Sequence, residues 1–137
     1  MDLNREALHE TGAFADSGPW DSDLLHVEDV YLKAGGDFLV GVLDDRVVAM
    51  GALLPTGDNA AEIKRMRVHP EFQRRGYGRM ILNELEAAAD RLGVKRLYLD
   101  TTTAQAAAIA LYHRHGYREL DRKPWRDVEL VLMEREL

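Results

Sequence analysis

The stretch Gln73-Arg74-Arg75-Gly76-Tyr77-Gly78 lies between a segment that predicts a β-strand and a segment that predicts an amphipathic helix. Its two glycines, which are separated by a single residue, let the backbone turn tightly and bring successive N–H groups close to a ligand. The unpaired N–H groups at the start of the following helix, at the positive end of its dipole, point the same way. The stretch therefore predicts an anion site, with a pyrophosphate as its natural occupant. The alternative is a helix-starting turn whose arginines are only solvated.

Positive charge is concentrated around this stretch. The chain has 18 Lys and Arg residues against 24 Asp and Glu residues, a formal net charge of −6. Residues 64–79, by contrast, contain six basic residues and one acidic residue. An acidic protein with one basic segment is suited to focusing a small anion at one place, whereas nucleic-acid-binding domains are usually basic overall. We therefore expect no nucleic-acid partner.

Two better-known phosphate loops do not fit the sequence. Ile81 stands where the pattern G-x-G-x-x-G has its third glycine, and the pattern G-x-x-x-x-G-K followed by Ser or Thr is missing from the whole chain. A dinucleotide site or an ATP site is therefore not expected.

Length and composition predict one globular domain over residues 1–137, with 46% hydrophobic and 31% charged residues. The chain contains no cysteine, which excludes disulfides, thiolate zinc sites and a cysteine nucleophile. Its first 16 residues contain no apolar run typical of a signal peptide or a membrane span. We therefore expect a cytoplasmic protein that has no membrane partner.

Hydrophobic periodicity and breaker residues predict a mixed α/β (α+β) sheet domain. In chain order, the pattern predicts helices at Asn4–Thr11 and Asp23–Ala34, strands at Phe38–Leu43, Val47–Leu54 and Ala61–Val68, a helix at Gly78–Leu92, a strand at Val94–Asp100, a helix at Gln105–His115, and strands at Tyr117–Leu120 and Asp127–Glu134. Residues 12–22, 55–60 and 121–126 are predicted as loops. The predicted helix Gly78–Leu92 has an apolar face that comprises Ile81, Leu85, Ala88, Ala89 and Leu92.

With these elements in order, the sequence resembles the GNAT superfamily of N-acetyltransferases. Residues 73–78 match the signature of this family. The signature has Gln or Arg at its first position, Gly at its fourth, and Gly or Ala at its sixth. A second family element is matched by Ala108, Leu111-Tyr112 and Gly116-Tyr117. Gln105 stands where the family usually has an asparagine.

The resemblance implies a central mixed, mostly antiparallel β-sheet flanked by helices. It also implies a V-shaped splay between the strands Ala61–Val68 and Val94–Asp100, and a bulge in the first of them. The family usually opens with a strand, and residues 1–22 show none. Either that strand is absent, or the chain begins inside the usual first helix. Its loss would expose a sheet edge that a second copy, forming a homodimer, could cover.

The resemblance further implies acetyl-CoA as co-substrate, with no metal. The residues it assigns to acetyl-CoA binding are Met66, Val68, Gln73, Arg74, Arg75, Gly76, Tyr77, Gly78, Arg79, Gln105 and Tyr112. The backbone N–H of Met66 would polarise the thioester carbonyl, which makes it part of the catalytic machinery, and Val68 would contact pantetheine through its main chain. Both side chains are also ordinary core residues of a strand.

Two side chains are predicted to transfer protons. Glu62 matches the position of a general base in some family members. The alternatives are a strand-edge pair with Lys64 or another basic residue, and a reaction in which water or a different residue is the base. Tyr112 would donate a proton to the departing thiolate, with a simple core role as its alternative.

The remaining candidates carry less chemistry. His113 and His115 point to different helix faces, which argues against a metal site. Residues 100–103 either line the acceptor side of the site or cap a helix. Trp20 and Trp125 are core residues or walls of the substrate site.

The sequence therefore predicts an N-acetyltransferase in which a primary amine attacks the thioester directly. A non-catalytic acyl-CoA-binding or regulatory module of the same fold is the alternative. The acceptor classes left open are a small amine, an amino acid, a peptide N-terminus, a lysine side chain and an antibiotic.

Overall fold

The computed structural model describes residues 2–4 and 35–137. Its strands are β1 (Asp2–Asn4), β2 (Asp37–Leu43), β3 (Arg46–Gly57), β4 (Ala60–Val68), β5 (Arg96–Thr102), β6 (Arg118–Trp125) and β7 (Val128–Glu136). The described helices are α1 (Tyr77–Arg91) and α2 (Ala106–Arg114), with a short 3-10 turn at Pro70–Phe72. The strands form one sheet in the order β1-β2-β3-β4-β5-β7-β6. All neighbours are antiparallel except β4 and β5, which confirms the predicted mixed, mostly antiparallel sheet.

The predicted hairpin before the central strands is confirmed. β2 and β3 pair in antiparallel fashion around Asp44 and Asp45, whose φ angles are 50° and 63°. Positive φ at both central residues is the geometry that two-residue hairpin turns require, and aspartate tolerates it better than most residues.

The predicted loop at residues 55–60 is wrong over most of its length. β3 continues to Gly57, where it pairs with Ala60, and the turn itself consists of Asp58 and Asn59. The register shifts between Pro55 and Gly57. Proline and glycine are tolerated in a strand at such an irregularity, so residues that normally break a strand did not end this one.

The predicted loop at residues 121–126 is also wrong, because β6 extends to Trp125 and only Arg126-Asp127 form the turn to β7. β6 is the outermost strand of the sheet, and all eight of its residues are exposed. A strand without a buried face lacks the apolar alternation that identifies strands in a sequence.

The suggested absence of a first strand is wrong as well. β1 pairs with β2 in antiparallel fashion, with Leu3 opposite Gly41. Three residues are too few to show a strand pattern, and Asn4, predicted as helical, belongs to this strand. The edge of β2 is covered there, which removes the reason given for a homodimer. The rest of the predicted helix Asn4–Thr11, the predicted helix Asp23–Ala34 and Trp20 lie outside the described residues.

The main core lies between the sheet and the two described helices. α1 buries Ile81, Leu82, Leu85, Ala88 and Ala89, close to the predicted face. Leu92 was predicted to belong to this face, but it is 53% exposed because it lies at the C-cap, past the last helical turn. Burial of this stripe against β3 and β4 holds the start of α1 beside the ends of those strands.

The central pair of strands separates partway along its length. β4 and β5 are paired only from Ala60 to Glu62 on one strand and from Arg96 to Tyr98 on the other. Beyond this point β4 stays paired with β3, and β5 stays paired with β7 as far as Thr102. The two inner edges therefore diverge into the predicted V-shaped cleft.

A bulge in β4 lines this cleft. Arg65 and Met66 together stand opposite the single residue Gly51 of β3, and Arg65 has a φ of 58°. A two-against-one mismatch of this kind bends the strand and removes one residue from the ladder. A Cβ on Gly51 would lie 2.6 Å from Met66 Sδ and 2.6 Å from Ile81 Cγ2. Glycine is therefore needed opposite the bulge so that Met66 and α1 can pack against the sheet.

Replacing Gly51 with alanine should lower the free energy of unfolding by about 1–3 kcal/mol, because the added methyl overpacks a filled core. Urea unfolding would measure the loss. Gly78→Ala is the matched control, since its Cβ would meet Val68 and Leu111 at 3.5 Å, an ordinary contact distance. A Gly51→Ala protein as stable as wild type would show that Met66 moves aside freely.

Candidate active site

The loop between β4 and α1 presents a set of backbone donors. Gly76 has φ 80° and ψ 10°, a left-handed conformation that favours glycine, and no side chain caps the helix after it. The first helical hydrogen bond is donated by Met80 to the Gly76 carbonyl. The N–H groups of Tyr77, Gly78 and Arg79 precede that bond and are open to an external acceptor. Their arrangement at a helix start suits an anion.

Three arginines surround these donors. Arg74, Arg75 and Arg79 are exposed, and no carboxylate within the described part of the chain forms an ion pair with them. The Arg75 guanidinium lies over the Phe72 ring, 5.1 Å from its centroid. Phe72 was not singled out from the sequence, although an aromatic residue directly before Gln73 was the available signal. The ring restricts Arg75 to the loop side of the site.

Gln73 connects the loop to the end of β4. Its side-chain Nε2 donates to the Val68 carbonyl at 3.3 Å. The Val68 side chain packs against the main core. Gln73 thus fixes the path of the chain from the strand into the loop, a positioning contact within the protein.

Glu62 occupies the last position at which β4 and β5 are paired. The side chain is half-buried, and this burial is the main reason why its pKa is raised. Lys64 opposes the shift, and Asp100 adds to it. Lys64 acts through its charge at a distance, because no ion pair between it and Glu62 is formed. Among the described residues, neither Lys64 nor another basic side chain forms the strand-edge pair that was the alternative for Glu62.

Tyr112 lies on α2 and is 4% exposed. Its ring meets Tyr117 edge to face, with 5.7 Å between the centroids. Burial raises the pKa of the Tyr112 phenol, and the charge of Asp100 raises it further. The phenol therefore holds its proton throughout the neutral range. Tyr112 is a core residue in its packing, which leaves a role for its hydroxyl open.

Residues 100–103, at the end of β5, differ in their contacts. Thr101 Oγ1 donates to Gln105 Oε1 at 3.1 Å, which ties the start of α2 to β5. Thr103 Oγ1 accepts from the Glu129 N–H at 3.0 Å. Asp100 makes neither kind of contact, and its charge reaches both Glu62 and Tyr112. Asp100 therefore interacts electrostatically with a carboxyl group on β4 and with a phenol on α2.

Other features of the surface lie away from this cleft. A shallow cavity of about 610 Å³ lies between the helices and β7, with charged residues of both signs in its lining. His115 faces it and contacts Asn83 at 3.0 Å. Within residues 2–4 and 35–137 there is no cluster of histidine and carboxylate side chains that could hold a metal ion. None of the helices described there is both long enough and apolar enough to cross a membrane.

Residues 4–117 match the family model described as the acetyltransferase (GNAT) family. The chain belongs to this family. The match confirms the family that the glycine-arginine loop and the motif around Tyr112 indicated.

Two curated relatives illustrate how far the similarity extends. A ribosomal protein bS18-alanine N-acetyltransferase from Salmonella typhimurium is 41% identical over 76 residues, which cover 56% of this chain and 51% of the relative. An IAA acetyltransferase from Azospirillum brasilense is 36% identical over 103 residues, which cover 73% of this chain and 66% of the relative. The chain thus spans between half and two thirds of the length of these relatives.

Solved structures share the fold. A GNAT-family acetyltransferase from Staphylococcus aureus Mu50 superposes with a TM-score of 0.85 and 21% identity, and the match covers 98% of both chains. A GNAT-family acetyltransferase from Elizabethkingia anophelis, solved with acetyl-CoA bound, gives a TM-score of 0.68 at 22% identity and covers 90% of this chain and 94% of that one. At these identities the likeness confirms the GNAT fold.

The charges around Glu62 predict how its pKa responds to substitution. Asp100→Asn should lower the pKa of Glu62 because a like charge is removed, and Lys64→Gln should raise it because an opposite charge is removed. NMR titration of carbon-labelled glutamate side chains would measure both, with Asp90→Asn on α1 as the control. If the pKa of Glu62 were the same in Asp100→Asn as in wild type, Asp100 would not lie close enough to Glu62 to influence it.

The raised pKa of Glu62 also determines how this residue affects the stability of the fold at different pH values. A raised pKa means that the folded state binds the proton more tightly than the unfolded chain does. The stabilising contribution of protonated Glu62 is complete below the unfolded pKa and is lost as pH rises through the folded pKa. Glu62→Gln should therefore raise the free energy of unfolding at neutral pH relative to wild type.

Proposed function

We propose that this protein is an acetyl-CoA-dependent N-acetyltransferase that transfers an acetyl group to a primary amine. The observation that carries the proposal is the cleft between β4 and β5, with an open anion loop after β4. The electrostatic interaction of Asp100 with Glu62 and with Tyr112 supports it. Membership of the GNAT family and the relatives named as acetyltransferases support it. We further propose that the protein acts in the cytoplasm, the place that the sequence led us to expect.

In the proposed complex the pyrophosphate of acetyl-CoA accepts hydrogen bonds from the N–H groups of residues 77–79. Arg74, Arg75 and Arg79 supply opposite charge. The pantetheine arm runs into the cleft beside Val68 and the bulge, where the Met66 N–H donates to the thioester carbonyl. Gln73 orients the loop through its bond to Val68. Gln105, held by Thr101, takes the position beside the arm that the family assigns to asparagine.

The proposed reaction has two steps. The amine first attacks the thioester carbon, and the tetrahedral intermediate then breaks down to release CoA. The acceptor ammonium first loses a proton to Glu62, directly or through water, because only the free amine is a nucleophile. The nitrogen then forms a bond to the thioester carbon, and the developing oxyanion is stabilised by the Met66 N–H. When the carbon–sulfur bond breaks, Tyr112 gives its proton to the thiolate. The nitrogen, now part of the amide, releases its second proton to the Tyr112 phenolate through water, and Glu62 returns its proton to solvent, so that both groups are restored. The chain contains no cysteine, which favours direct attack over an acetyl-cysteine intermediate.

A non-catalytic acyl-CoA-binding or regulatory module is the second candidate, because burial of Tyr112 is also what a purely structural role requires. The two candidates differ in turnover. An enzyme releases the CoA thiol when acetyl-CoA is mixed with a panel of amines, whereas a binding module is stabilised by acetyl-CoA and releases none. Thiol release across the panel is therefore the deciding experiment.

Acetyl-CoA should stabilise the fold by about 2.7 kcal/mol at a concentration 100 times its Kd. Gly76→Ala should weaken this binding about tenfold or more, because a Cβ would crowd the pyrophosphate. Gly93→Ala is the matched control, since Gly93 has a φ of 77° against 80° for Gly76 and lies outside the loop. Both variants should lose a similar stability, about 1–2 kcal/mol from the left-handed backbone, which thermal unfolding measures.

Only Gly76→Ala should lose the shift that acetyl-CoA produces. Equal ligand shifts in the two glycine variants would remove the loop from the binding site. No shift in the wild-type protein at millimolar acetyl-CoA would overturn the proposed co-substrate.

Tyr112→Phe should lower kcat roughly 100-fold with little change in acetyl-CoA affinity, because only the proton donor is removed. Glu62→Gln should instead lose most activity at low pH and recover part of it as pH rises, because the amine then deprotonates in solution. Profiles of rate against pH on one acceptor would separate the two roles. Wild-type turnover in Tyr112→Phe at every pH would exclude the phenol as the donor.

A further inference from the structure

Asp100 lies just beyond the point where the central strands separate. Along β5, Leu97, Leu99 and Thr101 are buried, and the alternate residues Tyr98 and Asp100 face the other side of the sheet. Tyr98 is paired in register with Glu62 of β4. Asp100 is therefore on the same face as Glu62, one strand period further into the cleft.

The carboxylate of Asp100 is not neutralised by its surroundings. It is exposed, and no residue that the structure describes forms an ion pair or hydrogen bond with it. Two arginines on this face are engaged elsewhere: Arg96 donates to Glu134 at 3.0 Å, and Arg118 donates to the other oxygen of the same carboxylate. Among the residues that the structure describes, no positive group is therefore paired with the negative charge of Asp100.

The charge of Asp100 acts on both of the proposed proton-transfer groups. The charge of Asp100 raises the pKa of Glu62 on β4 and that of Tyr112 on α2. A charge that acts on both groups must lie within a short distance of each of them, because water and ions screen longer interactions. An acceptor amine between the base and the thioester would therefore meet Asp100.

The floor beside Asp100 is apolar. Leu132 of β7 is paired with Asp100, and Leu130 is paired with Thr102; both leucines are half-buried. A carboxylate at the edge of an apolar floor attracts a compact cation and repels an anion more strongly than one in open water does.

We propose that Asp100 is a specificity-determining residue that binds the acceptor's ammonium group and rejects amines that carry a carboxylate next to it. This inference rests on the proposed acetyl transfer and narrows its acceptor. It favours amines whose neighbouring carbon bears no charge, such as amides of amino acids and peptide N-termini. It disfavours free α-amino acids, whose carboxylate would lie beside both Asp100 and Glu62.

The test uses matched acceptors that differ only in that carboxylate. Alanine and alaninamide form one pair, and phenylalanine and phenylalaninamide form another. Each kcat/KM is measured by thiol release with acetyl-CoA, for the wild-type protein and for Asp100→Asn. For each protein, kcat/KM for the amide is divided by kcat/KM for the acid. The wild-type ratio is then compared with the Asp100→Asn ratio, so that the different amine pKa values of the two acceptors cancel.

The wild-type ratio should exceed the Asp100→Asn ratio by about 10- to 100-fold, the cost of placing like charges together. Asp100→Glu should retain most of the preference because the charge is kept. Asp90→Asn makes the same change of charge on the exposed surface of α1 and should leave the ratio unchanged.

Two results would overturn the assignment while leaving the acetyltransferase in place. One is an unchanged ratio in Asp100→Asn. The other is an equal loss of kcat for acid and amide, which would mean that Asp100 takes part in proton transfer and not in acceptor selection. No thiol release with either pair, or with the wider amine panel, would overturn the proposed function and this inference with it.

Discussion

The short pairing between β4 and β5 is the constraint on which the site depends. Backbone N–H and C=O groups inside a sheet are normally satisfied by the neighbouring strand. Here the parallel ladder ends at Glu62 and Tyr98, yet neither strand is released, because each is paired along its outer edge. The cleft is therefore an opening within an intact sheet. A rigid frame around a gap can hold an extended ligand without a loop having to close over it.

The bulge and the anion loop both follow from this arrangement. The extra residue in β4 bends the strand away from β5, and Gly51 allows the bend by leaving room for Met66. The end of the bent strand then leads through Gln73 into the loop, and α1 begins where the cleft opens. The cleft, the bulge and the anion loop therefore follow one another along β4 and the chain after it. In the proposed reaction, this alignment sets the direction in which acetyl-CoA enters.

Much of this arrangement could be predicted from the sequence, because its strongest features are local. The loop at residues 73–78 and the apolar stripe of α1 are read directly from residue types and spacing. β6 could not be predicted over its full length, since a strand exposed on every residue has no periodic signal. β1 is too short to have one. The position of Asp100 relative to Glu62 and Tyr112 depends on strand register and on a helix that returns to the sheet, and neither is encoded in a local pattern.

The exposed strand β6 also determines how the sheet can associate. An outer strand offers a row of backbone groups that another chain could extend into a continuous sheet. β6 carries charged side chains along most of its length, Pro124 near its end and a register shift at Leu120. Proline supplies no N–H, and a local shift bends the edge out of line. This border of the molecule is thereby protected against strand-to-strand aggregation, including growth into fibrils, even though Leu120 and Trp125 are exposed there.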